Sequence, residues 1–196
     1  MSKYVRPNKD EYYLEIAKSV CLRSSCIRRQ FGAIVVREDA VVATGYNGPA
    51  RGVVNCMEVG CLKDELRLPH YSGYDYCPGI HSEENCIINA ARHGTSVLGG
   101  VLYLYGQDFG DGSPIEGKPC DRCKRAIINA GIKEVVTKKS DSTIIKTKVS
   151  EWVKEDTKNY LSKLKQSRGG KKMDNVLGLP ANEKLIIFKN GAKNGR

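Results

Sequence analysis

The chain has 196 residues and a net charge of +10 at pH 7, a length that suits one ordinary domain with an appendage. It contains no apolar run long enough to cross a bilayer and no signal-peptide pattern over residues 1–10, so we expect a cytoplasmic protein that binds no membrane. In that setting its eight cysteines favour reduced thiols and metal ligands over disulfides.

The positive charge is concentrated towards the C-terminus. Residues 1–137 carry 17 lysines and arginines against 16 acidic residues, whereas residues 138–196 carry 15 against 6. We therefore predict a folded domain over residues 1–139 and a basic extension over 140–196, partly helical and partly disordered. A basic extension either remains solvated, which we expect, or contacts nucleic acid.

Helices and strands are predicted to alternate along the chain. The first elements are a helix over 9–24, a hairpin of strands 32–37 and 40–45, and a long irregular region over 46–80. They are followed by a helix over 82–94, a strand over 100–106, a loop over 107–118, a helix over 119–132 and a strand over 133–138. An edge strand over 142–147, an amphipathic helix over 150–166 and a short apolar run over 183–189 complete the pattern. This order predicts an α/β fold with a mixed central sheet.

Helix 82–94 is expected to bury one apolar side against that sheet. The side chains we place on it are Ile87, Ile88, Ala90 and Ala91. Gly94 is predicted to end the helix.

Two cysteines in the sequence PCDRC give the first chemical signal. Cys120 and Cys123 are three residues apart, so they share one face of the predicted helix. The start of a helix favours the thiolate form of a cysteine. On its own, such a pair is equally suited to a redox disulfide and to half of a metal site.

His81 and Glu83, at the start of the other predicted helix, favour the metal site. One imidazole and two thiolates leave a fourth position open on a tetrahedral ion, which is the arrangement of catalytic zinc. Zinc lowers the pKa of a bound water from about 15.7 to about 7, and Glu83 would act as a proton carrier beside it. The alternatives are a capping Glu83, a surface His81 and a redox cysteine pair, but a redox pair would not explain His81 and Glu83.

The combination H-x-E followed by P-C-x-x-C is the signature of zinc deaminases of nucleobases. Four stretches carry a wider resemblance to the deoxycytidylate (dCMP) deaminase family and its late-competence-protein relatives. They are RSSCIRRQFGAIVV (23–36), ATGYNGPARG (43–52), HSEENCIINAAR (81–92) and PCDRCKRAIINAGIKEVV (119–136). The resemblance covers about residues 9–137.

This resemblance implies a three-layer α/β/α fold, a catalytic zinc bound by His81, Cys120 and Cys123, and conversion of dCMP to dUMP with release of ammonia. It also implies homo-oligomers, commonly hexamers, that dCTP activates and dTTP inhibits. Glu83 would take a proton from the attacking water and pass it to N3 of the pyrimidine and then to the departing amine.

Two further residues match family positions near the substrate. Asn47 aligns with a residue near the substrate sugar, and Arg92 with an arginine that some members use in substrate selection. From the sequence alone Asn47 is equally a turn residue, and Arg92 is equally a cation at a helix end. The chain departs from the family pattern at Ser82, where alanine is usual, and in its longer loop over 107–118.

The remaining cysteines fall into two groups. Cys21 and Cys86 lie on apolar helix faces and are predicted core residues. Four others lie in or beside the irregular region, where four thiolates would make a closed structural zinc site. They are Cys26, Cys56, Cys61 and Cys77, with His70 as a replacement for one of them. The alternative is that these are isolated buried thiols.

Two other functions compete with dCMP deamination. The first is deamination of another substrate, namely cytidine, tRNA adenosine or a riboflavin precursor, by the same zinc centre. The stretch GYNGPARG favours the deoxynucleotide over these. The second is a non-catalytic, zinc-stabilised binding module, which would have no use for Glu83 beside an open metal position.

Overall fold

The computed structural model describes residues 5–70 and 72–168. Its helices are α1 (Lys9–Cys21), α2 (Cys56–Val59), α3 (Leu62–Glu65), α4 (Ser82–Arg92), α5 (Asp121–Asn129) and α6 (Val149–Ser167), with a single 3₁₀ turn at Tyr74–Tyr76. Its strands are β1 (Arg29–Arg37), β2 (Ala40–Tyr46), β3 (Gly48–Pro49), β4 (Gly79–Ile80), β5 (Val101–Asp108), β6 (Pro114–Ile115), β7 (Glu134–Lys138) and β8 (Ile144–Lys148). The predicted apolar run over 183–189 lies outside the described residues.

The main sheet has the strand order β2-β1-β5-β7-β8. Strands β5 and β7 are parallel, whereas the pairs β1–β2, β1–β5 and β7–β8 are antiparallel. Strand β6 pairs with the end of β5, and β3 and β4 form a separate two-stranded sheet. The predicted mixed sheet is therefore confirmed. The helix α5 makes the crossover between the two parallel strands, as such connections require.

Helices cover both faces of the sheet, because its central strands alternate their side chains between two cores. On β1, Ile34 and Val36 pack with α1, whereas Ala33 and Val35 pack in the cluster that includes Cys86 of α4 and Ile127 of α5. The predicted α/β/α layers are thus present. Cys21 and Cys86 are both fully buried, as predicted.

The hairpin of β1 and β2 turns at the two predicted residues. Glu38 and Asp39 have positive φ angles of 52° and 62°, as a tight two-residue hairpin requires. The hydroxyl of Tyr13 donates a hydrogen bond to the carbonyl oxygen of Asp39 at 2.9 Å. This contact joins the turn to helix α1.

Several predicted elements differ in detail from the structure. The prediction that Ile88 and Ala91 face the core was wrong, because both are exposed while Glu83, Cys86 and Ala90 are buried. The buried face of α4 includes the carboxylate of Glu83. A prediction based on apolar residues alone therefore assigned the wrong face of the helix to the core. Helix α5 begins at Asp121, and Cys120 is its N-cap. The irregular region over 46–80 is divided into short helices and strands.

The chain divides into two compact units, Met1–Val153 and Lys154–Arg196. The first unit includes strand β8 and Trp152, which is buried in the core. In the second unit the described residues continue helix α6, where Tyr160 and Leu161 are exposed. The division at residue 139 inferred from charge stays a prediction. Across residues 5–70 and 72–168, none of the helices has the length and apolarity that crossing a bilayer needs.

Candidate metal centre and adjoining cavity

Gly45 lets helix α4 lie directly against strand β2. A Cβ atom at this position would be 2.3 Å from the backbone nitrogen of Cys86 and 2.5 Å from the carbonyl oxygen of Ser82. These are backbone atoms of the helix, so no side-chain movement could relieve the contact. The glycine therefore sets how closely the first turns of α4 approach the sheet.

Two asparagines one helical turn apart fasten α4 to the same strand. The side-chain amide of Asn85 donates to the carbonyl oxygen of Tyr46 at 2.9 Å, and that of Asn89 donates to the carbonyl oxygen of Thr44 at 2.8 Å. These two carbonyls flank Gly45. The helix that begins after His81 is thus held in place by close backbone packing and by two hydrogen bonds.

The starts of α4 and α5 lie next to each other. His81 is the N-cap of α4 and Cys120 is the N-cap of α5. The guanidinium of Arg122 and the carboxylate of Glu84 form an ion pair between the two first turns. Residues that are 39 positions apart in the sequence are therefore brought together by two adjacent helix starts.

His81, Cys120 and Cys123 form a cluster with the dimensions of a zinc site. The Nδ1 atom of His81 is 3.5 Å from the Sγ atom of Cys120 and 3.4 Å from that of Cys123. Zn–S and Zn–N bonds of ordinary length at tetrahedral angles would place nitrogen and sulfur about 3.6 Å apart. Within the described ranges, these three form the only group of His, Cys or acidic side chains whose ligand atoms all lie within 4.8 Å of one another. The geometry and the donor set both fit zinc.

The electrostatics of the cluster favour binding of a cation. A hydrogen bond from the Cys123 thiol lowers the pKa of Cys120 to about 3, and the nearby His81 also lowers it. The same bond, together with burial, raises the pKa of Cys123. Cys120 is thus the more acidic of the two thiols. A divalent cation would displace the remaining thiol protons and stabilise both thiolates.

Glu83 is buried beside the cluster. Burial in a poorly solvated site raises the pKa of its carboxyl above the ordinary value. The hydroxyl of Ser82 donates a hydrogen bond to the Oε2 atom of Glu83 at 2.9 Å, and this bond acts in the opposite direction, lowering the pKa. A buried carboxyl group with a raised pKa suits both acceptance and donation of a proton.

A cavity of about 150 Å³ adjoins the cluster. His81, Glu83 and Cys120 line one side of it, and Asn47 lines another. A second, more open cavity of about 590 Å³ shares His81, Cys120 and Lys118 with the first and leads to the surface. The smaller cavity is the more enclosed of the two, and both adjoin the metal ligands His81 and Cys120.

Asn47 is held tightly by strand β1 and the segment before it. Its Oδ1 atom accepts hydrogen bonds from the Ser24 hydroxyl and the Phe31 backbone N–H, both at 2.7 Å. Its Nδ2 atom donates to the carbonyl oxygen of Arg29 at 2.9 Å. These contacts join Asn47 to distant segments rather than forming a local turn, and they leave its second amide N–H as the group that a ligand could use.

Arg92 does not line either cavity. It is exposed at the other end of α4, about 14 Å along the helix axis from Glu83. The structure of one chain therefore does not bring Arg92 to the candidate site.

The four remaining cysteines lie on one wall of the enclosed cavity. Cys26, Cys56, Cys61 and Cys77 all line it, and so does His70. Burial raises the pKa of the Cys56 thiol, and the nearby thiols of the other three raise it further. These thiols are thus neighbours, although the described residues include no second group with ligand atoms as close as those of His81, Cys120 and Cys123.

Several residues of the site were not identified from the sequence. The cavity is also lined by the basic side chains Arg28, Arg29, Lys63 and Lys118 and by the aromatic ring of Tyr74. They come from different segments with no spacing pattern. Ser82 stands where alanine is usual in the family, but nothing in the sequence indicates its hydrogen bond to Glu83.

Comparisons with known proteins agree with this geometry. The family model described as the cytidine and deoxycytidylate deaminase zinc-binding region matches residues 7–139. A deoxycytidylate deaminase of Schizosaccharomyces pombe is 37% identical over 131 residues, which cover 67% of this chain and 37% of that protein. The corresponding enzyme of Mycobacterium phage D29 is 32% identical over 139 residues, covering 67% of this chain and 94% of that protein.

Among solved structures, a cyanophage S-TIM5 dCMP deaminase in complex with dCMP and dUMP aligns with a TM-score of 0.48 and 26% identity, covering 67% of this chain and 82% of that one. The part of this chain that matches the deoxycytidylate deaminases of Schizosaccharomyces pombe and Saccharomyces cerevisiae spans about two fifths of the length of those proteins.

Proposed function

We propose that this chain, which belongs to the cytidine and deoxycytidylate deaminase family, is a zinc-dependent hydrolase that converts dCMP to dUMP with release of ammonia. The observation that carries the proposal is the placement of buried Glu83 beside the cluster of His81, Cys120 and Cys123. A purely structural metal site does not need a buried carboxylate next to it.

The chemistry divides between the metal and the protein. His81, Cys120 and Cys123 would hold zinc, which supplies a water of lowered pKa as the nucleophile. Glu83 accepts a proton from the attacking water and donates it to N3 of the cytosine ring. It then transfers the second proton to the amino group that leaves from C4. Ser82 orients the carboxylate of Glu83 through its hydrogen bond.

The charge of the enclosed cavity supports a nucleotide substrate rather than a free nucleoside. Its wall carries Arg29 and Lys118, whereas Glu83 is the only acidic side chain among the described residues that line it. A phosphate group would be attracted to such a wall. We also propose that the second amide N–H of Asn47 donates to a hydroxyl of the deoxyribose.

Activity assays on the zinc-loaded chain test the function. Ammonia release is measured with dCMP, dCTP, cytidine and adenosine for the native chain and for Glu83→Gln. We expect turnover of dCMP, and loss of at least about 100-fold in Glu83→Gln with its zinc content unchanged. Turnover of only cytidine or adenosine would contradict the substrate, and turnover of none would favour the binding module.

We further propose that Cys26, Cys56, Cys61 and Cys77 bind a second, structural zinc. Their shared wall and the mutual effect on the pKa of Cys56 support this arrangement, and a cation would offset the repulsion between the thiolates. Metal analysis should then find two zinc ions per chain. A variant with Cys56→Ala should retain one, and a native chain with a single zinc that is lost in Cys120→Ala would contradict the second site.

Assembly and regulation belong to the same proposal. We infer a homo-oligomer, with a hexamer as the expected size, in which Arg92 serves substrate selection and in which dCTP activates and dTTP inhibits. Light scattering and activity titrations with each nucleotide test these points. We also infer that the chain acts in the reducing cytoplasm, where its eight cysteines would stay reduced and able to bind metal.

A further inference from the structure

Tyr74 lies at the point where the two cavities meet. It lines both the enclosed cavity and the open one. The centroid of its ring is 5.8 Å from that of His81, with the ring planes tilted by 53°. It is therefore the aromatic side chain nearest to a metal ligand among the ring contacts of the described residues.

Tyr74 is 44% exposed, and a backbone contact and a side-chain contact bear on its position. It begins a 3₁₀ turn in which the backbone N–H of Cys77 donates to its carbonyl oxygen at 3.1 Å. The Nζ atom of Lys63 lies 5.5 Å from the ring centroid, within the range of a cation–π interaction. Lys63 itself is buried although it carries a charge.

A substrate ring has to occupy the space next to Tyr74. The atoms that react, C4 and N3 of cytosine, must lie beside Glu83 and the three metal ligands. A planar base in that position passes close to His81, and Tyr74 borders the same space on the side that opens to the surface. Aromatic side chains stack on bases of any sequence because every base has a π face.

We propose that Tyr74 stacks on the pyrimidine of the substrate and that Lys63 positions the Tyr74 ring for this contact. The inference rests on the proposed function, since it takes a pyrimidine nucleotide as the ligand. Stacking contributes to binding before and during the reaction alike. Its loss should therefore raise KM and weaken ligand binding while kcat changes little.

The test measures binding as well as turnover. Binding of dUMP is followed by calorimetry, and KM and kcat for dCMP are measured, in zinc-loaded native chain and variants. Tyr74→Ala should weaken dUMP binding by about 10- to 100-fold, the range of base–aromatic stacking. Tyr74→Phe should stay within about threefold of the native chain, since the ring remains.

Tyr76→Ala is the matched control, because Tyr76 belongs to the same turn, is exposed and lines neither cavity. It should bind dUMP as the native chain does. Lys63→Met, which keeps a long side chain but removes the charge, should weaken binding by less than Tyr74→Ala. Tyr74→Leu keeps a large apolar side chain but removes the aromatic ring. It should weaken binding as Tyr74→Ala does, without the folding defect that a small side chain could cause.

The outcomes separate this inference from the proposed function. If the native chain deaminates dCMP and Tyr74→Ala and Tyr74→Leu bind dUMP as well as Tyr76→Ala does, the role of Tyr74 is overturned and the function stands. If the native chain neither binds nor deaminates any pyrimidine nucleotide, both are overturned. A fall in kcat with unchanged binding would also contradict stacking.

Discussion

The carboxylate of Glu84 and the guanidinium of Arg122 join the first turns of the two helices that carry the metal ligands. Glu84 follows His81 by three residues, and Arg122 lies between Cys120 and Cys123. The ion pair therefore connects two helix starts whose separation decides whether the three ligands can reach one ion. It acts on the geometry of the cluster without touching the ligands themselves.

Arg122→Ala should accelerate the release of zinc while changing the free energy of unfolding only slightly. The pair is partly exposed, so we expect its removal to reduce the free energy of unfolding by less than about 1 kcal/mol. Zinc release to a chelator, followed with a chromogenic indicator, should become several-fold faster because the helix starts are no longer joined. Arg125→Ala, on the same helix, is the control and should release zinc at the native rate; equal rates in both variants would refute the role of the pair.

Gly45→Ala should disrupt the metal centre by displacing helix α4. The added Cβ would meet backbone atoms of the helix at 2.3 and 2.5 Å, so α4 must move away from β2. We expect a loss of about 1–3 kcal/mol in the free energy of unfolding, measured by urea denaturation, together with weaker zinc binding. Gly110→Ala, where the nearest atom is a side-chain oxygen at 3.3 Å, should be nearly neutral, and a similar loss in both variants would contradict this account.

Ser82→Ala should move the acidic limb of the pH–rate profile to higher pH. Burial raises the pKa of Glu83, and the hydrogen bond from Ser82 lowers it. Removing the hydroxyl removes the lowering effect, so the carboxyl should keep its proton to a higher pH and be less available as a base. The measurement is kcat for dCMP between pH 5 and pH 8 at saturating substrate; an unchanged limb would show that the hydroxyl does not tune Glu83.

Stability should fall at alkaline pH because two core thiols resist ionisation. Burial raises the pKa of Cys21 and of Cys86 to about 12, whereas an unfolded thiol ionises near pH 8.5. The folded state thus retains protons that the unfolded state loses. The contribution of these thiols is complete below about pH 8.5 and declines as the pH rises towards 12, by up to about 1.4 kcal/mol per pH unit for each thiol.

The double variant Cys21→Ala, Cys86→Ala tests this pH dependence. It should be less stable than the native chain at pH 7.5, because packing in the core is lost. Between pH 8.5 and pH 10, however, its free energy of unfolding in urea should decline less steeply. Parallel declines in the two proteins would assign the alkaline sensitivity to other groups.

The sequence was sufficient for the elements that follow regular patterns. The abundance of β-branched residues at 32–37 predicted a strand, and the pair Glu38-Asp39 predicted its turn. The motif residues His81, Glu83, Cys120 and Cys123 were predicted to meet, and three of them form the cluster. These predictions succeeded because periodicity and helix starts are local properties that the chain cannot easily override.

Other features depended on contacts between distant segments. Helix α4 buries Glu83 rather than Ile88, because close packing on Gly45 and the two asparagine hydrogen bonds to β2 fix which face meets the sheet. Tyr74 and Lys63 have no spacing that marks them, and only folding of the irregular region brings them to one cavity. The role of Ser82 depends on its hydroxyl pointing towards Glu83, and a sequence does not indicate the orientation of a side chain.

The crossover between the parallel strands β5 and β7 has a consequence for how the protein matures. Because His81 and the two cysteines come from separate segments that meet only in the folded chain, an unfolded chain offers no preassembled chelate. Zinc should therefore bind the folded chain in preference to the unfolded one. The melting temperature of the protein should rise as the concentration of free zinc rises. At 100 times the dissociation constant, the gain would be about 2.7 kcal/mol, less whatever affinity the unfolded thiols retain for the ion.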